Sequence, residues 1–412
     1  MATMATGDHL LSIEAAQQAV SEHVLPGQPV RVPLEDVLGR VLAEPVVCDV
    51  DYPPFDKAMM DGYAVRAADL TATPALLRVV GQIAAGHEAA TRVGEGEAVQ
   101  INTGAPVPRG ADAVVPVEDT ERVQDGSAVS VSASVPAGKH IDPAAKYLSA
   151  GATVLSPGVR MEPAQIAAAA AAGAASVSVY ARPSVAILVT GDELVEVDTQ
   201  PRGAQIRNSN GPMLRSLVTQ AGGEVVDLGV VCDDKSALTD RIREGLSSDV
   251  LCISGGISMG AFDFVPEVLA ACGVRLVFRK LAIKPGKPVL FGIGERGTRV
   301  FGLPGNPSSG FVCFWLLVRP ALTALAGLHG RSPVEVSARL TGDCPATKDR
   351  QSYSPARIAV DDGGALTVAH LSWHGSGDPF GLSSANGLIV RPPGSPVAVG
   401  RDTVSVIPLE WF

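Results

Sequence analysis

The feature that most constrains the fold is a regular alternation of apolar, strand-like runs and helix-like segments, which begins at Ser184. SVAILVT is followed by a helical segment near 212–221, EVVDLGVV by one near 236–246, and DVLCISGG by one near 264–272, before the run VRLVFRKLAI. Strands that alternate with helices of about ten residues predict a parallel sheet with right-handed crossovers. Ligands of such sheets bind beyond the carboxyl ends of the strands, so the loops after these strands hold the candidate site.

The rest of the chain has a different pattern. Residues 12–24 predict an amphipathic helix with Ser12 as its N-cap. Short β-branched runs separated by Gly, Pro and Asp predict antiparallel sheet from 30 to 155, and an alanine-rich helix that runs into a strand follows over 162–181. Five strand-like runs over 331–412 predict a small β-barrel or sandwich. The predicted fold class is therefore multi-domain α/β plus β.

Charge, cysteine content and hydropathy narrow the class of protein. The chain has 33 Lys and Arg residues against 43 Asp and Glu residues, a net charge of −10, which argues against a surface that tracks nucleic-acid phosphates or an anionic membrane. Its six cysteines form no CxxC and mostly lie in apolar runs, which predicts reduced thiols and a cytoplasmic location. The N-terminal run MATMATGDHL is unlike a signal peptide, and Arg319 and Pro320 interrupt the most apolar stretch, 311–328, which predicts no membrane span.

Two general motifs match the sequence but not its context. Gly292-x-Gly294-x-x-Gly297 fits the dinucleotide fingerprint, but the strand-like run TRVFGLPG follows where that fingerprint requires a helix, so a hairpin turn is predicted. His370 and His374 are four residues apart in a region predicted to be strand and loop, where that spacing does not converge on a metal ion.

A hydrolase motif is also present. The run GISMG at 256–260 fits the GxSxG nucleophile elbow, with Ser258 as nucleophile and a downstream histidine as base. However, the loop continues through Ala261 and Phe262 before the helix, and the chain has no HGGG-like oxyanion motif. A serine hydrolase therefore stays an alternative, which labelling of Ser258 by a fluorophosphonate probe would test.

The loops after the strands carry paired glycines and several acids. Acids on successive loops at one edge of a sheet would repel one another unless a cation is shared, and with phosphate nearby Mg²⁺ is the usual cation. Bare glycine amides beside them suit an anion. The alternative for each acid is a helix N-cap or a turn. The residues concerned are Gly191, Asp192 and Glu193 after the first strand, Asp233 and Asp234 after the second, Ser254, Gly255, Gly256 and Ser258 after the third, and Asp263 beyond them.

Two further loops have anion-binding chemistry. Lys284 and Lys287 lie in KPGKP, whose prolines stiffen a compact pair of ammonium groups suited to an oxyanion. In LPGNPS, Pro304 precedes Asn306, the predicted N-cap, and Pro307, the first helical residue, so that backbone N–H groups would face another anion position.

Six motifs in the same order resemble the MoeA family of molybdopterin molybdenumtransferases, which is related to the E domain of gephyrin. They are PPFDKAMMDGYAV, INTGAPVPRGADAVV, TGDEL, SGGISMGAFD, KPGKP and GLPGNPSS. The resemblance implies an elongated homodimer of four-domain subunits. With our own division of the chain, an elongated, dimerising domain I would cover 8–50 and 147–182, a β-rich inserted domain II 51–146, a molybdopterin-binding-like α/β domain III 183–330, and a β-barrel domain IV 331–412.

The same resemblance implies an activity and its ligands. The family inserts molybdenum from molybdate into adenylylated molybdopterin and releases AMP with Mg²⁺ or a similar divalent ion, in a cleft between domain III of one subunit and domain II of the other. Expected protein partners are the molybdopterin adenylyltransferase and apo-molybdoenzymes, with neither nucleic acid nor membrane among the partners.

Residue by residue, the resemblance assigns roles to positions that by themselves could be turn formers. It implies a reaction cleft that contains Asp61, Thr103, Glu193, Asp233 and Asp263. Of these, Glu193, Asp233 and Asp263 would hold the metal ion. The implied substrate-binding set is Gly191, Asp192, Ser254, Gly255, Gly256, Ser258, Lys284, Lys287, Pro304, Asn306, Pro307, Arg350 and Ser376.

The chain departs from the family pattern in domain II. Residues 138–146 read GKHIDPAAK and lack the Arg, the Gly and the acidic pair of the usual GxNIRxxGED-like stretch, and Lys57 and Ala58 replace polar residues. These changes leave open an alternative, a catalytically weakened pterin-binding or scaffold protein of the same family.

Overall fold

The computed structural model describes residues 10–88, 90–257, 263–328 and 333–409. The predicted N-cap of the first helix is confirmed, because the backbone N–H of Ala15 donates to Ser12 Oγ over 3.2 Å. The helices are α1 (Ile13–Ser21), α2 (Pro163–Ala171), α3 (Asn210–Gln220), α4 (Lys235–Gly245), α5 (Val265–Ala271), α6 (Pro307–Cys313), α7 (Arg319–Leu325) and α8 (Phe380–Ser383), with a π-helical turn, Phe314–Val318, joining α6 to α7.

The N-terminal half of the chain is built mainly of strands. They are β1 (Pro29–Pro33), β2 (Val46–Val47), β3 (Lys57–Ala58), β4 (Gly62–Val65), β5 (Ala75–Ile83), β6 (Glu97–Ile101), β7 (Ala113–Pro116), β8 (Thr120–Val123), β9 (Ala128–Val131), β10 (Ile141–Asp142), β11 (Thr153–Leu155) and β12 (Ser176–Tyr180). Strands β4 to β9 form one sheet in the order β7-β4-β6-β5-β9-β8. The prediction of antiparallel pairing holds except between β5 and β6, which are parallel because the connection over 84–96 returns the chain to the same end of the sheet.

Three short antiparallel pairs join residues that are far apart in sequence. β1 pairs with β12, β2 with β11, and β3 with β10. Val32, Leu42, Met161 and Val177 share one apolar core, which contains residues from both sides of the β4–β9 sheet in the sequence. That sheet is therefore an insertion between two chain segments that pack together.

A second sheet forms the α/β part of the chain. Its region contains β13 (Ser184–Thr190), β14 (Leu194–Val195), β15 (Ile206–Arg207), β16 (Glu224–Val231), β17 (Val250–Ser254), β18 (Arg275–Lys280), β19 (Ile283–Lys284), β20 (Pro288–Ile293) and β21 (Arg299–Leu303). The sheet order is β16-β13-β17-β21-β20-β18, and β13, β16, β17 and β21 are parallel as predicted. β20 is antiparallel to both its neighbours, because the connections on either side of it are too short for a crossover helix. The predicted hairpin at 292–297 is one of these connections, closed by the N–H of Gly294 donating to Thr298 O over 2.9 Å.

Alternate residues of the α/β strands enter two cores. Val185 and Ile187 of β13 pack with α1, α3 and the segment from α6 to α7, whereas Ala186 and Leu188 pack with α4 and α5. Within the described residues, Pro307–Leu325 is long and apolar enough to cross a membrane, but 72% of it is buried here, as expected of a core helix. α1 lies on this core, where Gln17 Nε2 donates to the Leu316 carbonyl of the π-helical turn over 3.0 Å.

The C-terminal strands form a barrel, which decides between the two predicted architectures. They are β22 (Val336–Leu340), β23 (Gln351–Val360), β24 (Leu366–His370), β25 (Gly387–Arg391) and β26 (Thr403–Pro408). Their order is β23-β24-β22-β26-β25, and β25 pairs back onto β23 to close the barrel. β19 is not one of the five barrel strands, but it pairs with β23, with Lys284 opposite Ser352. This pairing joins the barrel to the α/β unit.

Candidate active-site cleft

A cleft of about 880 Å³ lies at the carboxyl ends of β13, β17 and β21, where the parallel sheet predicts a ligand site. It brings together residues from loops that are more than a hundred positions apart. Ten of the predicted site residues line it: Gly191, Glu193, Asp233, Ser254, Gly255, Gly256, Asp263, Pro304, Asn306 and Pro307. Ser258 lies outside the described residues, as do Met259 and Gly260 of the same GxSxG motif.

The paired glycines after β17 are required by the close approach of two loops. Gly255 has a φ of +101° and Gly256 a φ of +61°, both in the left-handed region that favours glycine. A Cβ atom on Gly255 would lie 2.3 Å from the carbonyl oxygen of Thr190 at the end of β13. The loop can therefore present bare backbone to the cleft only with glycine at this position.

The hydrogen bonds of three of the predicted acids show what each one does in the structure. Asp234 caps α4 by accepting from the N–H groups of Ser236 and Ala237 over 3.0 and 2.9 Å, which is the turn-former alternative for this residue. Asp192 accepts from the backbone N–H of Asp233 over 3.0 Å. Asp233 in turn accepts from the Thr190 hydroxyl and still lines the cleft.

The arrangement of the acids bears on whether protein side chains alone could hold a cation in the cleft. Among the described residues, no group of three or more His, Cys, Asp and Glu side chains is close enough to hold a metal ion alone. Glu193, Asp233 and Asp263 nevertheless line the same cleft. Mg²⁺ keeps several waters and commonly takes one or two carboxylates together with phosphate oxygens. The donor set would therefore suit a cation shared with the phosphates of a bound ligand, and not a cage made of protein alone.

Asn210 is a cleft residue that the sequence reasoning missed. It is only 7% exposed at the start of α3, and its Nδ2 donates to Ser254 Oγ over 2.9 Å and to the Gly305 carbonyl over 2.7 Å. It thus ties the end of β17 to the loop after β21. The local signal was the run NSNGP, which is typical of a helix start and does not specify a bridge between two distant loops.

The start of α6 is joined to the barrel. Asn306 is the N-cap and Pro307 the first helical residue, as predicted. The Asn306 side chain donates to Ser376 Oγ over 3.1 Å, and the Ser308 hydroxyl donates to the Asp378 carbonyl over 2.6 Å. These contacts place the barrel loop at 374–380 at the edge of the cleft, where Gly377, Pro379 and Phe380 line it.

The predicted cationic residues lie beside the cleft and are not among its lining residues. Lys284, at the end of β19, and Lys287, on the loop that follows it, are both exposed, and the next residue, Pro288, does line the cleft. Arg350 Nη1 donates to the Ile283 carbonyl over 3.2 Å, so its guanidinium stands next to the backbone of the lysine loop. Arg350 therefore lies close to the KPGKP segment at 284–288, although the two are far apart in sequence.

Asp61 and Thr103 lie together at the ends of two neighbouring strands of the inserted sheet, β4 and β6, and neither is among the residues that line the cleft. Asp61 Oδ1 accepts from the backbone N–H of Thr103 over 2.7 Å and from its hydroxyl over 3.1 Å. These hydrogen bonds, with a weaker one from Asn102, lower the pKa of Asp61. The carboxylate is therefore held charged and oriented.

The positions that depart from the family pattern form an ion cluster of their own. Asp142 is only 3% exposed, accepts from the Tyr147 hydroxyl over 2.8 Å, and lies 3.7 Å from Lys57 Nζ. Lys146 donates to its other oxygen. The hydrogen bond from Lys146 is the largest cause of a lowered Asp142 pKa, and the same bond raises the pKa of Lys146. The buried charge is thus balanced by two lysines.

Family comparisons cover most of the chain. Residues 11–173 match the model described as "MoeA N-terminal region (domain I and II)", 186–324 match "Probable molybdopterin binding domain", and 337–409 match "MoeA C-terminal region (domain IV)".

Individual relatives agree with the family models. The chain is 35% identical to a molybdopterin molybdenumtransferase from Nostoc sp., covering 89% of this chain and 86% of the relative. It is 34% identical to one from Staphylococcus aureus, covering 96% and 95%. The crystal structure of the molybdopterin biosynthesis MoeA protein from Pyrococcus horikosii superposes with a TM-score of 0.84 at 32% identity, over 98% of this chain and 100% of that one. These matches run through every part of the fold described above, and the chain therefore belongs to the MoeA family of molybdopterin molybdenumtransferases.

Proposed function

We propose that this chain inserts molybdenum from molybdate into adenylylated molybdopterin and releases AMP, as a step of molybdenum cofactor biosynthesis. The observation that carries the proposal is the cleft itself, where Glu193, Asp233 and Asp263 face the same space as the bare backbone of Gly255 and Gly256. Phosphate groups need both kinds of partner, since amides bind their oxygens and carboxylates hold the cation that neutralises them. The curated relatives at 34–35% identity are named molybdopterin molybdenumtransferase.

In this proposal the chain's own residues bind and orient the reactants. Glu193, Asp233 and Asp263 would hold Mg²⁺ against the phosphoanhydride, and that ion supplies Lewis-acid polarisation of the phosphoryl oxygens when bound. Further substrate contacts would come from Gly191, Asp192, Ser254, Gly255, Gly256, Ser258, Pro304, Asn306 and Pro307.

Molybdate would be attracted by the cationic loop beside the cleft. Lys284 and Lys287 carry compact ammonium charges, and Arg350 and Ser376 lie where the barrel joins the α/β unit. The ligand exchange at molybdenum requires no protein nucleophile, so none is assigned.

We also propose a homodimer in which the partner subunit completes the site. The support is that Asp61 and Thr103 do not line the cleft of their own chain, although both belong to the expected reaction centre. The proposed division is domain I at 8–50 and 147–182, domain II at 51–146, domain III at 183–330 and domain IV at 331–412. The short pairs β1–β12 and β2–β11 fall within this domain I.

A cytoplasmic location and protein partners complete the proposal. All six cysteines are free, and burial raises the pKa of the Cys252 thiol to about 12, so this thiol is unreactive. A reducing compartment is consistent with these thiols. The proposed partners are the adenylyltransferase that makes the substrate and the apo-molybdoenzymes that receive the product.

The decisive experiment measures AMP release from adenylylated molybdopterin by the purified chain, with and without molybdate and Mg²⁺. We expect molybdate-dependent AMP release and a product that activates an apo-molybdoenzyme. Glu193→Gln and Asp263→Asn should abolish it, whereas Asp240→Asn, on the exposed surface of α4, should not. Tight binding of the adenylylated pterin without AMP release would contradict the transferase and favour the scaffold alternative.

A further inference from the structure

The aromatic ring of Phe380 is exposed at the mouth of the cleft. The side chain is 81% exposed, the highest value among the large apolar residues that the structure describes. It also lines the cleft, together with Gly377 and Pro379 of the same loop. A large aromatic side chain that is exposed to solvent beside a cleft is a typical contact surface for a ligand. Burial of its apolar face by the ligand removes that surface from water, which lowers the free energy of binding.

The backbone that carries this ring is held by several hydrogen bonds. The N–H groups of Phe380 and Gly381 donate to Asp378 Oδ1 over 2.9 and 3.1 Å, and the Asp378 carbonyl accepts from the Ser308 hydroxyl of α6 over 2.6 Å. A Cβ atom on Gly381 would lie 2.6 Å from the Cβ of Trp373, so the first turn of α8 packs closely on this tryptophan. The ring is therefore carried by a hydrogen-bonded turn of the barrel that is tied to the α/β unit.

The cleft is lined by both polar groups and exposed apolar side chains. Glu193, Asp233 and the glycine amides lie at the ends of the strands, whereas Ile206, 55% exposed on β15, lines the cleft along with Phe380. These two exposed apolar side chains come from the α/β unit and from the barrel. A ligand that matches this arrangement has phosphate at one end and a flat apolar ring at the other.

We propose that Phe380 is a specificity-determining residue, whose ring stacks on a heterocycle of the phosphate-bearing ligand. This inference rests on the proposed function, in which the substrate carries two such heterocycles, the pterin and the adenine, on either side of its phosphates. The shared chemistry is a flat heteroaromatic ring linked to phosphate. Stacking would hold the heterocycle against Phe380 while the phosphates lie near Glu193, Asp233 and the glycine amides.

The test uses the full chain and compares ligands that carry a heterocycle with a ligand that has none. Calorimetry measures the binding of AMP, of ribose 5-phosphate as its ring-less counterpart, and of the adenylylated pterin. In Phe380→Ala we expect about five- to tenfold weaker binding of the ligand whose ring is stacked, with ribose 5-phosphate unchanged. Weaker AMP binding identifies adenine as the ring, and weaker binding of the adenylylated pterin alone identifies the pterin. Phe380→Trp should keep the affinity, and Phe380→Leu should lose part of it.

Several outcomes would overturn the inference. If Phe380→Ala binds all three ligands with affinities within twofold of wild type, the Phe380 ring makes no contact with them. If ribose 5-phosphate loses as much affinity as the ligands that carry a heterocycle, the substitution has disturbed the phosphate site instead. A change in oligomeric mass with unchanged affinities assigns the ring to subunit packing. If the wild type binds these ligands but releases no AMP, the proposed transferase fails while the binding data still decide the role of Phe380. If it turns over normally and Phe380→Ala has the wild-type KM and kcat, only this inference fails.

Discussion

Asn210 and Ser254 are joined by a buried hydrogen bond of 2.9 Å that links the start of α3 to the last residue of β17. Because the same Nδ2 atom also donates to the Gly305 carbonyl, one amide holds the end of β17 and the loop after β21 together. In the sequence, Gly255 and Gly256 directly follow Ser254, and Asn306 and Pro307 directly follow Gly305, so four residues of the proposed ligand contacts adjoin the two positions that this side chain connects. A residue without direct chemistry can therefore decide whether the site is assembled.

Removal of that amide should loosen the cleft and destabilise the fold. Asn210→Ala leaves the Ser254 hydroxyl and the Gly305 carbonyl without this donor, which costs about 1–3 kcal/mol of unfolding free energy. We expect a lower urea midpoint and a raised KM. A double-mutant cycle with Ser254→Ala measures the coupling, expected at about 0.5–3 kcal/mol. Additive effects of the two substitutions would show that the hydrogen bond contributes nothing.

Gly255→Ala should be more damaging than an ordinary glycine substitution. Gly255 combines a φ of +101° with a Cβ position 2.3 Å from the Thr190 carbonyl oxygen, so alanine brings both backbone strain and overlap. Gly364→Ala is the matched control, since its φ is +80° and nothing lies within 4 Å of its Cβ position. We expect about 1 kcal/mol for the control and a clearly larger loss for Gly255→Ala, measured by urea unfolding. Equal losses would contradict the close approach of the two loops.

The Asp142 cluster should contribute stability that depends on pH. Its hydrogen bonds and two lysines lower the pKa of Asp142 below the ordinary 3.8, so the folded state favours the charged form. The contribution is complete above pH 3.8 and is lost as the pH falls through the lowered folded-state pKa. Asp142→Asn should therefore have a lower urea midpoint than wild type at pH 7, and the difference should shrink below pH 3.8. A difference that stays constant down to pH 3 would refute this account, and Asp240→Asn serves as the exposed control.

Mixed dimers should show whether a partner supplies Asp61. If each cleft combines Glu193 of one subunit with Asp61 of the other, Asp61→Asn and Glu193→Gln homodimers are both inactive. Co-expressed chains that pair at random should then regain about a quarter of wild-type AMP release, since half of the dimers have one intact cleft. The control is a mixture of the separately purified homodimers, assayed before subunits exchange. Absence of any recovery in co-expressed, mass-verified heterodimers would contradict a shared site.

Local sequence patterns were sufficient for the elements and for much of the candidate site. The N-cap at Ser12, the start of α6 at Asn306 and Pro307, and the hairpin at 292–297 depend on residues within a few positions of one another. The alternation of strands and helices after Ser184 also placed Glu193, Asp233 and Asp263 beyond strand ends. These features are predictable because φ preferences, side-chain capping and hydrophobic periodicity act over one or two turns of chain.

Contacts between distant segments were decided only by the tertiary structure. The parallel pairing of β5 with β6, the bridge from Asn210 to Ser254, and the contact of Asp378 with Ser308 of α6 all join residues that no local pattern relates. The ion cluster around Asp142 is another example. In the sequence, Lys57 and Lys146 are only departures from the family pattern, whereas in the structure both contact Asp142. Sequence by itself determined which chemistry the loops carry, and packing of the domains determined which of those loops share a cleft, because packing depends on the shape and burial of many side chains at once.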